Sequence, residues 1–492
     1  MNYVGIDLGT SSVKLLLMSE KGEVINTVTK EYSLSFPNPG WSEQNPKDWF
    51  DQTMEGLKDL LKDGDKDIAG MAVGGQMHGL VLLDEHNDVI RPAILWNDGR
   101  TTKENHYLNN EIGEENLAKY TANISFTGFT APKILWVKEN EPENFAKIKK
   151  IMLPKDYLVY KMTGAFATDV SDASGMLLLD VKRRTWSSEM LEICGITKEM
   201  LPTIFESYEK VGVLKETYVK ELGIHPCGGK KGDEVIFAAG AGDNAAAAIA
   251  TGTVKDGDCN LSIGTSGTVF IPSAGYKETK NHAIHNFCDA TGKYHFMGCM
   301  LSAASCNLWW MNDILNTKDF AGEQSEITEE DLGENSVFFL PYLMGERSPH
   351  NDEKIRGAFL GLSMDTKRKD MTLAMMEGVA FGLKDSLEIV RSLGISVDTS
   401  KICGGGVKSK LWQNIIANVL NVKLEILESE EGPSLGGAIL AAVADETFAS
   451  VEEACEKIIR VDHEILPKAS LVKKYEEKYE VYKKLYPALK EV

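Results

Sequence analysis

The chain has 492 residues and a formal net charge of −20 at pH 7, and this length predicts about two to four domains rather than one core. The acidic balance argues against general nucleic-acid binding, which needs a basic surface. No apolar run approaches the roughly 20 residues that span a bilayer. We therefore expect a protein that binds neither nucleic acid nor membranes.

The cysteines and the first residues of the chain predict a cytoplasmic location. Eight cysteines are scattered along the sequence, without a C-x-x-C pair or a zinc-type spacing with histidine. Reduced, mostly buried thiols are typical of the cytoplasm. The opening MNYVGIDLGT enters a strand-like run directly, without the charged and apolar regions of a secretory signal.

The first half of the chain mixes strand and helix patterns. Alternating apolar residues predict strands, 3.6-residue spacing predicts helices, and glycines mark the turns between them. The predicted order is strand–turn–strand at 3–18, a strand at 22–32, a helix at 47–63 starting at Asn45-Pro46, strand–glycine loop–strand at 68–90, mainly helices at 100–230, a strand at 234–242 and a helix at 243–252.

The second half repeats this plan. It has strand–turn–strand at 258–273, helices at 301–315 and 370–394, a strand and glycine loop at 401–409, and a helix at 410–420. The repetition predicts two α/β domains with a boundary near 245–255, which we place as 1–248 and 249–492. Near the end, one apolar and four aromatic residues at helical spacing predict a packing stripe, namely Leu471, Tyr475, Tyr479, Tyr482 and Tyr486.

Two short turns resemble each other, one in each half: IDLGTSSVK begins at Ile6 and LSIGTSGTVF begins at Leu261. Glycine lets the backbone approach a ligand closely, and threonine and serine hydroxyls join the amides as donors. Either turn alone indicates only a hairpin. Together they favour two domains that face one nucleotide and bind its phosphates through Gly9, Thr10 and Ser11 and through Gly264, Thr265 and Ser266.

Other nucleotide-binding patterns fit less well. A P-loop needs G-x-x-x-x-G-K-[ST], and the Gly229-Lys230 and Gly292-Lys293 pairs lack the upstream glycine and the following hydroxyl. Residues 240–245 fit G-x-G-x-x-A after a strand, but an aspartate inside this loop would face a pyrophosphate. Asp7 precedes the first turn, where phosphate repels it unless Mg²⁺ lies between them; the alternative is a strand-end aspartate that bonds the turn.

Ten motifs in chain order resemble the FGGY carbohydrate kinases, and within them the xylulokinases, across about residues 3–445. The resemblance implies an α/β fold of two actin-like ATPase (ribonuclease-H-like) domains with a cleft between them. The motifs are IDLGTSSVK, GGQMHG, WNDGRT, LPKDYLVYKMTG, TDVSDASG, AGAGDNAAAA, LSIGTSGTVF, GERSPHNDEKIRGAFLGL, GGGVKSKLWQN and GPSLGGAILAA.

The resemblance implies ATP-dependent phosphorylation of a sugar hydroxyl with Asp243 as the catalytic base. One carboxylate suffices to take the proton of a neutral alcohol as the phosphoryl group arrives. Asp243 could also cap the alanine-rich helix, which does not conflict with catalysis. The resemblance further implies that Asp7 binds Mg²⁺, mainly through water, and that the adenosine part of ATP contacts Gly405, Gly406, Lys410 and Asn414.

The resemblance also suggests which residues select the sugar. Met77 and His78 follow a predicted strand end, where methionine would pack on the carbon chain and histidine would bond a hydroxyl. Asn244, next to the base Asp243, would bond another hydroxyl, and Trp96 would support the pocket. Trp96 could equally be an ordinary residue of the hydrophobic core. Asp98 and Arg100, in the same motif, could support the pocket or could form only an internal ion pair.

The predicted reaction is D-xylulose and ATP to D-xylulose 5-phosphate and ADP, with Mg²⁺ as cofactor. One alternative is an FGGY kinase that acts on another ketopentose, a polyol or gluconate. A different class, an actin-like ATPase module without a sugar acceptor, would share the two turns but would have no use for GDNAA and GQMHG. The resemblance suggests a homodimer.

Overall fold

The computed structural model describes residues 1–62, 64–279 and 282–491, which form two compact units. Unit 1 consists of Met1–Val254, Asn286–Tyr294 and Glu431–Ile459, and unit 2 contains the segments between these and the chain from Arg460 onward. The division into 1–248 and 249–492 stays a prediction. The units themselves are not two successive stretches of chain, because unit 1 also includes two later segments.

Most strands of the described residues are short. They are β1 (Asn2–Leu8), β2 (Ser12–Ser19), β3 (Val24–Glu31), β4 (Glu43–Gln44), β5 (Asp67–Gly75), β6 (Val81–Leu83), β7 (Ala93–Ile94), β8 (Lys150–Met152), β9 (Ala167–Asp169), β10 (Leu179–Asp180), β11 (Thr185–Trp186), β12 (Thr203–Phe205), β13 (Lys210–Val213), β14 (His225–Pro226), β15 (Ile236–Ala238), β16 (Ala241–Gly242), β17 (Asn260–Ile263), β18 (Gly267–Ser273), β19 (His285–Cys288), β20 (Tyr294–Met300), β21 (Phe338–Leu340), β22 (Ala358–Leu360), β23 (Thr399–Cys403), β24 (Lys423–Leu427) and β25 (Val461–Ile465).

Each predicted helix has a counterpart in the structure, and further helices lie outside the predicted positions. They are α1 (Pro46–Leu60), α2 (Thr102–His106), α3 (Glu114–Thr121), α4 (Thr130–Asn140), α5 (Pro142–Lys147), α6 (Pro154–Thr163), α7 (Val170–Ala173), α8 (Ser188–Cys194), α9 (Glu216–Leu222), α10 (Asp243–Ala250), α11 (Ala304–Trp309), α12 (Phe320–Gln324), α13 (Arg368–Ser392), α14 (Lys410–Leu420), α15 (Pro433–Ala444), α16 (Val451–Ile458), α17 (Ala469–Tyr482) and α18 (Leu485–Leu489). Short 3₁₀ segments include 174–176 and 405–408, and π-helical turns lie at 107–113 and 310–314.

The main sheet of unit 1 has the strand order β13–β15–β5–β1–β2–β3. β1 pairs antiparallel with β2 and parallel with β5, while β15 and β16 also pair parallel with β5. The chain therefore enters through an antiparallel hairpin and continues into parallel strands. The carboxyl ends of β1, β5 and β16 consequently lie at the same edge of the sheet.

Helices cover both faces of this sheet. Val4, Ile6 and Leu8 of β1 belong to one apolar cluster with Trp49 of α1, whereas Tyr3 belongs to a second cluster that contains the apolar residues of α10 and α15. This alternation is the two-residue period of a strand. Helix α1 therefore packs on one face of the sheet, and α10 and α15 pack on the other.

Helix α15 explains why unit 1 takes in a late segment of the chain. A Cβ atom added at Gly5 of β1 would lie 1.6 Å from the carbonyl oxygen of Ser434, so only glycine lets the helix pack this close. The boundary near 245–255 stays a prediction, while unit 1 also takes in Glu431–Ile459. The sequence pattern does not reveal that residues after 431 return to cover the first sheet.

Unit 2 repeats the strand arrangement of unit 1. Its sheet contains the order β20–β18–β17–β23–β24–β25, with β17 antiparallel to β18 and parallel to β23. The hairpin β17–β18 corresponds to β1–β2, and each hairpin carries one Gly-Thr-Ser turn between its strands. The predicted α/β fold with a doubled strand–turn–strand plan is confirmed.

The core of unit 2 includes helices α13, α14 and α17. The predicted packing stripe is confirmed for Leu471, Tyr475, Tyr479 and Tyr482 of α17, which are all buried, and Phe381 of α13 has aromatic contacts with these three tyrosines. The fifth member, Tyr486, lies in α18 and is half-buried. Within the described chain, no helix is long and apolar enough to cross a bilayer.

Candidate active site

Three strand ends of unit 1 bring predicted functional residues to one edge of the sheet. Asp7 of β1 is the register partner of Gly74 in β5, and Gly242 of β16 is the partner of Gly75. The first Gly-Thr-Ser turn, the segment with Met77 and His78, and Asp243 each follow one of these strands. Ligands of open α/β sheets bind at the carboxyl ends of the strands, so this edge is the candidate site of unit 1.

Asp243 is the first residue of α10, and the capping position belongs to Gly242. The capping role considered for Asp243 is therefore wrong. Its Oδ1 accepts hydrogen bonds from the Asn244 backbone amide at 2.7 Å and from Asn244 Nδ2 at 2.9 Å. Burial raises the pKa of the Asp243 carboxyl to about 6, against the lowering effect of both Asn244 bonds. A carboxylate with a pKa near neutrality suits general base catalysis.

Asp7 is close enough to Asp243 for the two carboxylates to repel each other. Burial, and then the charge of Asp243, raises the pKa of Asp7 to about 7, while Lys14 acts in the lowering direction. A cation at this point would relieve the repulsion. The described residues hold no cluster of three or more metal-ligating side chains. Mg²⁺ is commonly held by one or two carboxylates, water and substrate phosphates.

A buried charged network holds the backbone just before Asp243. The Gly242 amide donates to Ser171 Oγ at 3.1 Å, and Ser171 Oγ donates to Asp169 Oδ2 at 2.5 Å. Asp169 lies 2.9 Å from Lys155 Nζ, which also pairs with Asp156 at 2.6 Å. Pairing of this kind is what allows charges to be buried. Two of the motifs, LPKDYLVYKMTG and TDVSDASG, thus support the residue that precedes the base.

His78 adopts an unusual backbone conformation with φ of 67°. Its Nδ1 lies 2.7 Å from the carbonyl oxygen of Gly175, and its ring stacks on Phe129 with centroids 4.6 Å apart. A carbonyl only accepts hydrogen bonds, so Nδ1 carries the hydrogen of this bond. A Cβ atom at Gly175 would lie 2.4 Å from the His78 ring, which explains the glycine.

Two residues that the sequence interpretation missed hold the His78 backbone. Lys133 Nζ donates to the His78 carbonyl at 2.9 Å and to the Gly128 carbonyl at 2.8 Å, and Thr130 Oγ1 donates to the same His78 carbonyl at 3.0 Å. Lys133 is fully buried in α4, and this burial holds the pKa of its ammonium group well below the usual value. A lysine among apolar residues in FTAPKILW was the only signal for this contact.

Met77 lies next to the residues around the base. Its Sδ is 4.0 Å from Asn244 Nδ2, and a Cβ atom at Gly242 would approach Met77 Cγ to 3.0 Å. The structure therefore brings Met77, Asn244 and Asp243 together, while the Gly175 contact joins His78 to the same group. The residues predicted to contact the sugar are thus neighbours, and their contact with a sugar stays a prediction.

Trp96 contacts the first Gly-Thr-Ser turn rather than the core. It is 40 % exposed, and its Nε1 donates to Thr10 Oγ1 at 2.9 Å. Asp98 and Arg100 form the buried internal ion pair that was one of the two interpretations, with Nη2 and Oδ2 2.8 Å apart. The Arg100 guanidinium also lies 3.8 Å above the ring of Trp41.

The second turn and the glycine motif of unit 2 are neighbours. A Cβ atom at Gly404, where φ is 93°, would lie 2.7 Å from the backbone of Ile263, the residue before the turn, and one at Gly406 would meet the Ile263 side chain at 2.5 Å. A Cβ atom at Gly405 would meet nothing within 4 Å among the described residues. Gly405 therefore presents bare backbone, as expected for contact with a flat ligand.

The two remaining nucleotide-site candidates lie on α14, which begins at Lys410. Lys410 is exposed at the start of this helix. Asn414 is half-buried, and its carbonyl and Oδ1 accept hydrogen bonds from Asn418 Nδ2 at 2.7 Å and 2.8 Å. The contact of Lys410 and Asn414 with adenosine stays a prediction.

The chain belongs to the FGGY family of carbohydrate kinases. Residues 2–250 match the N-terminal domain of this family and residues 259–444 match its C-terminal domain. The predicted family is thereby confirmed, and membership implies a sugar substrate and ATP as the phosphoryl donor.

Individual relatives match along almost the whole chain. It is 38 % identical to the xylulose kinase of Escherichia coli K12 over 99 % of both sequences. A crystal structure described as a xyloylose kinase from Brucella ovis has a TM-score of 0.93 at 39 % identity and covers 99 % of both chains. A gluconate kinase structure from Lactobacillus acidophilus also reaches a TM-score of 0.93, with 26 % identity, and covers 99 % of this chain and 98 % of that one.

Proposed function

We propose that the protein transfers the γ-phosphoryl group of ATP to D-xylulose and releases D-xylulose 5-phosphate and ADP. The observation that carries the proposal is the juxtaposition of Asp243 with Met77 and His78 at the strand ends of unit 1. It places a carboxylate with a raised pKa beside side chains able to recognise a polyhydroxylated carbon chain. The names of relatives at 38 % and 39 % identity support the choice of xylulose.

In this proposal Asp243 is the general base. Asn244 occupies its Oδ1, whereas Oδ2 accepts no hydrogen bond from the described part of the protein and is available to a substrate hydroxyl. As the oxygen of the terminal hydroxyl bonds to the γ-phosphorus, its proton passes to Oδ2 and the bond from phosphorus to the ADP oxygen breaks. Positioning and charge neutralisation supply most of the catalysis in such a transfer.

Substrate recognition falls to Met77, His78, Asn244 and Trp96. His78 would form a hydrogen bond with a sugar hydroxyl, and the bond between its Nδ1 and the Gly175 carbonyl orients the ring. The Met77 thioether offers an apolar surface to the carbon chain. A site that forms a hydrogen bond with a particular substrate hydroxyl discriminates against analogues without that hydroxyl.

The phosphates of ATP would bind Gly9, Thr10 and Ser11 in unit 1 and Gly264, Thr265 and Ser266 in unit 2, with adenosine against Gly405, Gly406, Lys410 and Asn414. Asp7 would hold Mg²⁺ through water. When bound, Mg²⁺ neutralises negative charge on the phosphate oxygens. We also propose that the enzyme acts in the cytoplasm and does not bind nucleic acid. We further propose that it forms a homodimer, and light scattering coupled to size-exclusion chromatography would test this oligomeric state.

An ADP-release assay with Mg-ATP tests the function against D-xylulose, L-xylulose, D-ribulose, L-ribulose, glycerol, D-gluconate and no sugar. We expect D-xylulose to give the highest kcat/KM. If another sugar gives the highest value, the kinase assignment stands and the role of Met77 and His78 is wrong. Equal slow release in every reaction would instead indicate an actin-like ATPase module.

D-gluconate is the alternative substrate with a specific observation behind it. The gluconate kinase from Lactobacillus acidophilus is as similar in backbone as the Brucella ovis protein, with a TM-score of 0.93 in both cases. Backbone likeness therefore does not choose between the two sugars. Sequence identity favours xylulose, at 39 % against 26 %.

A further inference from the structure

The carbonyl groups of the first Gly-Thr-Ser turn are bound by side chains from outside the turn. The Gly9 carbonyl accepts a hydrogen bond from Tyr32 Oη at 2.6 Å, and the Thr10 carbonyl accepts one from Gln44 Nε2 at 2.7 Å. Burial and the charge of Asp7 raise the pKa of Tyr32, so its hydroxyl stays protonated and remains a donor.

These two bonds fix the direction of the next two amides. In a trans peptide the C=O and N–H groups point in opposite directions. With the Gly9 and Thr10 carbonyls held by Tyr32 and Gln44, the amide hydrogens of Thr10 and Ser11 point the other way. Within the described residues neither amide donates a hydrogen bond, and consecutive outward amides of this kind form an anion-binding concavity.

The second turn has the same arrangement with different donors. The Gly264 carbonyl accepts from the Ala304 amide at 2.8 Å, and the Thr265 carbonyl accepts from the Ala303 amide at 2.9 Å and from Ser305 Oγ at 2.7 Å. By the same peptide geometry, the amides of Thr265 and Ser266 point away from these donors. Neither of them donates to any residue that the structure describes.

The Thr10 hydroxyl is oriented as well. It accepts a hydrogen bond from Trp96 Nε1, so its own hydrogen is directed elsewhere and is available as a donor. Gln44 extends the arrangement to the sugar-contacting segment, since its Oε1 accepts from Trp49 Nε1 at 3.0 Å and from Gln76 Nε2 at 3.3 Å. Gln76 directly precedes Met77, and Gln44 is only 2 % exposed.

We propose that Tyr32 and Gln44 in unit 1 and Ser305 in unit 2 are positioning residues for phosphate. They bind the carbonyl side of each Gly-Thr-Ser turn and thereby direct the amide hydrogens toward the phosphates of ATP. The inference rests on the proposed function, because it takes these turns as the phosphate-binding elements. It adds residues outside every motif that carried the family resemblance, and for Tyr32 and Ser305 it predicts a defined effect on nucleotide binding.

The test measures dissociation constants for Mg-ATP and adenosine by equilibrium dialysis, and KM for D-xylulose, in Tyr32→Phe, Ser305→Ala and the parent chain. Tyr160→Phe is the matched control, because its hydroxyl binds Asn87 Oδ1 at 2.9 Å at an exposed site. We expect Tyr32→Phe to weaken Mg-ATP binding about fivefold, the effect of one hydrogen bond, with adenosine binding and the KM for D-xylulose unchanged.

Ser305→Ala should have a smaller effect, about twofold, because the backbone amide of Ala303 still binds the Thr265 carbonyl. Mg-ATP affinity in Tyr32→Phe equal to that of Tyr160→Phe would overturn the inference. An equal loss for ATP and adenosine would also overturn it, since the effect would then not reside in the phosphates. If the parent chain binds no Mg-ATP, the proposed function fails in addition, and this result is distinguishable from the other two.

Discussion

Asn244 binds a single oxygen of Asp243 with two different groups, its backbone amide at 2.7 Å and its side-chain amide at 2.9 Å. One carboxylate oxygen is thereby held in place while the other accepts nothing from the described residues. The neighbour in sequence thus both orients the proposed base and lowers its pKa against the effect of burial. The first two predictions use this relationship.

Asp243→Asn should lower kcat for D-xylulose by about 10²–10⁴-fold, the usual contribution of a general base. The amide has the size of the carboxylate but does not take up the hydroxyl proton. Mg-ATP affinity and the thermal unfolding midpoint should stay close to those of the parent chain. Asp370→Asn, at the start of α13 in unit 2, is the control. A variant with near-normal turnover would contradict the assignment of Asp243.

The pH profile should report the raised pKa of Asp243. The base must be ionised, so kcat/KM for D-xylulose is expected to rise about tenfold per pH unit below about pH 6 and to level off above it. Asn244→Ala removes the side-chain hydrogen bond that favours the ionised form of Asp243, while burial still favours the protonated form. The rise should therefore move to higher pH. An unchanged profile in this variant would show that another group controls the rate.

Gly175→Ala should impair sugar binding without touching the nucleotide turns. The added methyl group would lie 2.4 Å from the His78 ring and would force the ring off its bond with the Gly175 carbonyl. We expect the KM for D-xylulose to rise about tenfold, with the KM for ATP unchanged, as for the loss of about one good hydrogen bond. Initial-rate kinetics with each substrate varied in turn measures the split. Equal changes in both KM values would argue against a sugar contact of His78.

Gly405→Val should weaken nucleotide binding while leaving the fold intact. Among the described residues nothing lies within 4 Å of a Cβ atom at this position, so the side chain enters open space where adenosine is proposed to lie. The KM for ATP should rise on the order of tenfold, equal to about 1.4 kcal/mol. Gly275→Val, which also enters open space, is the control. Normal ATP kinetics in Gly405→Val would place adenosine elsewhere.

Gly5→Ala should destabilise unit 1. Its methyl group would overlap the Ser434 carbonyl, at 1.6 Å, so β1 and α15 must move apart. Overpacking in a core costs about 1–3 kcal/mol, and the backbone clash puts this variant at the upper end of that range. Urea unfolding measures the loss. Gly275→Ala should unfold like the parent chain, and equal stability of both variants would contradict the packing of α15 on β1.

The sequence predicts features that depend on neighbouring residues. The two hairpins with their Gly-Thr-Ser turns, α1 after Asn45-Pro46 and the long helix α13 all follow from local periodicity and turn residues. The family resemblance adds Asp7 and Asp243, which motif positions identify. All of these are short-range patterns or fixed motifs, and the structure has elements at the expected places.

Contacts between distant segments were not predictable in the same way. Tyr32 and Gln44 reach the first turn only because β3 and β4 bring them there, and Lys133 reaches the His78 carbonyl from another helix. No spacing in the sequence links these pairs. The packing of α15 on β1 was missed for the same reason. A stretch such as GPSLGGAILAA indicates close packing but does not indicate which strand or helix it packs against.

The return of residues 431–459 to unit 1 has a consequence for synthesis and recombination. As the protein leaves the ribosome, one face of the β1–β5 sheet is covered only in part, by α10, until α15 emerges more than 350 residues after β5. Unit 1 is therefore finished almost last, although it starts first, and the exposed sheet is open to aggregation in the interval. If two related proteins were joined once near residue 254, the first sheet would come from one protein and α15 from the other. An exchange of unit 1 between relatives therefore has to include all three of its segments.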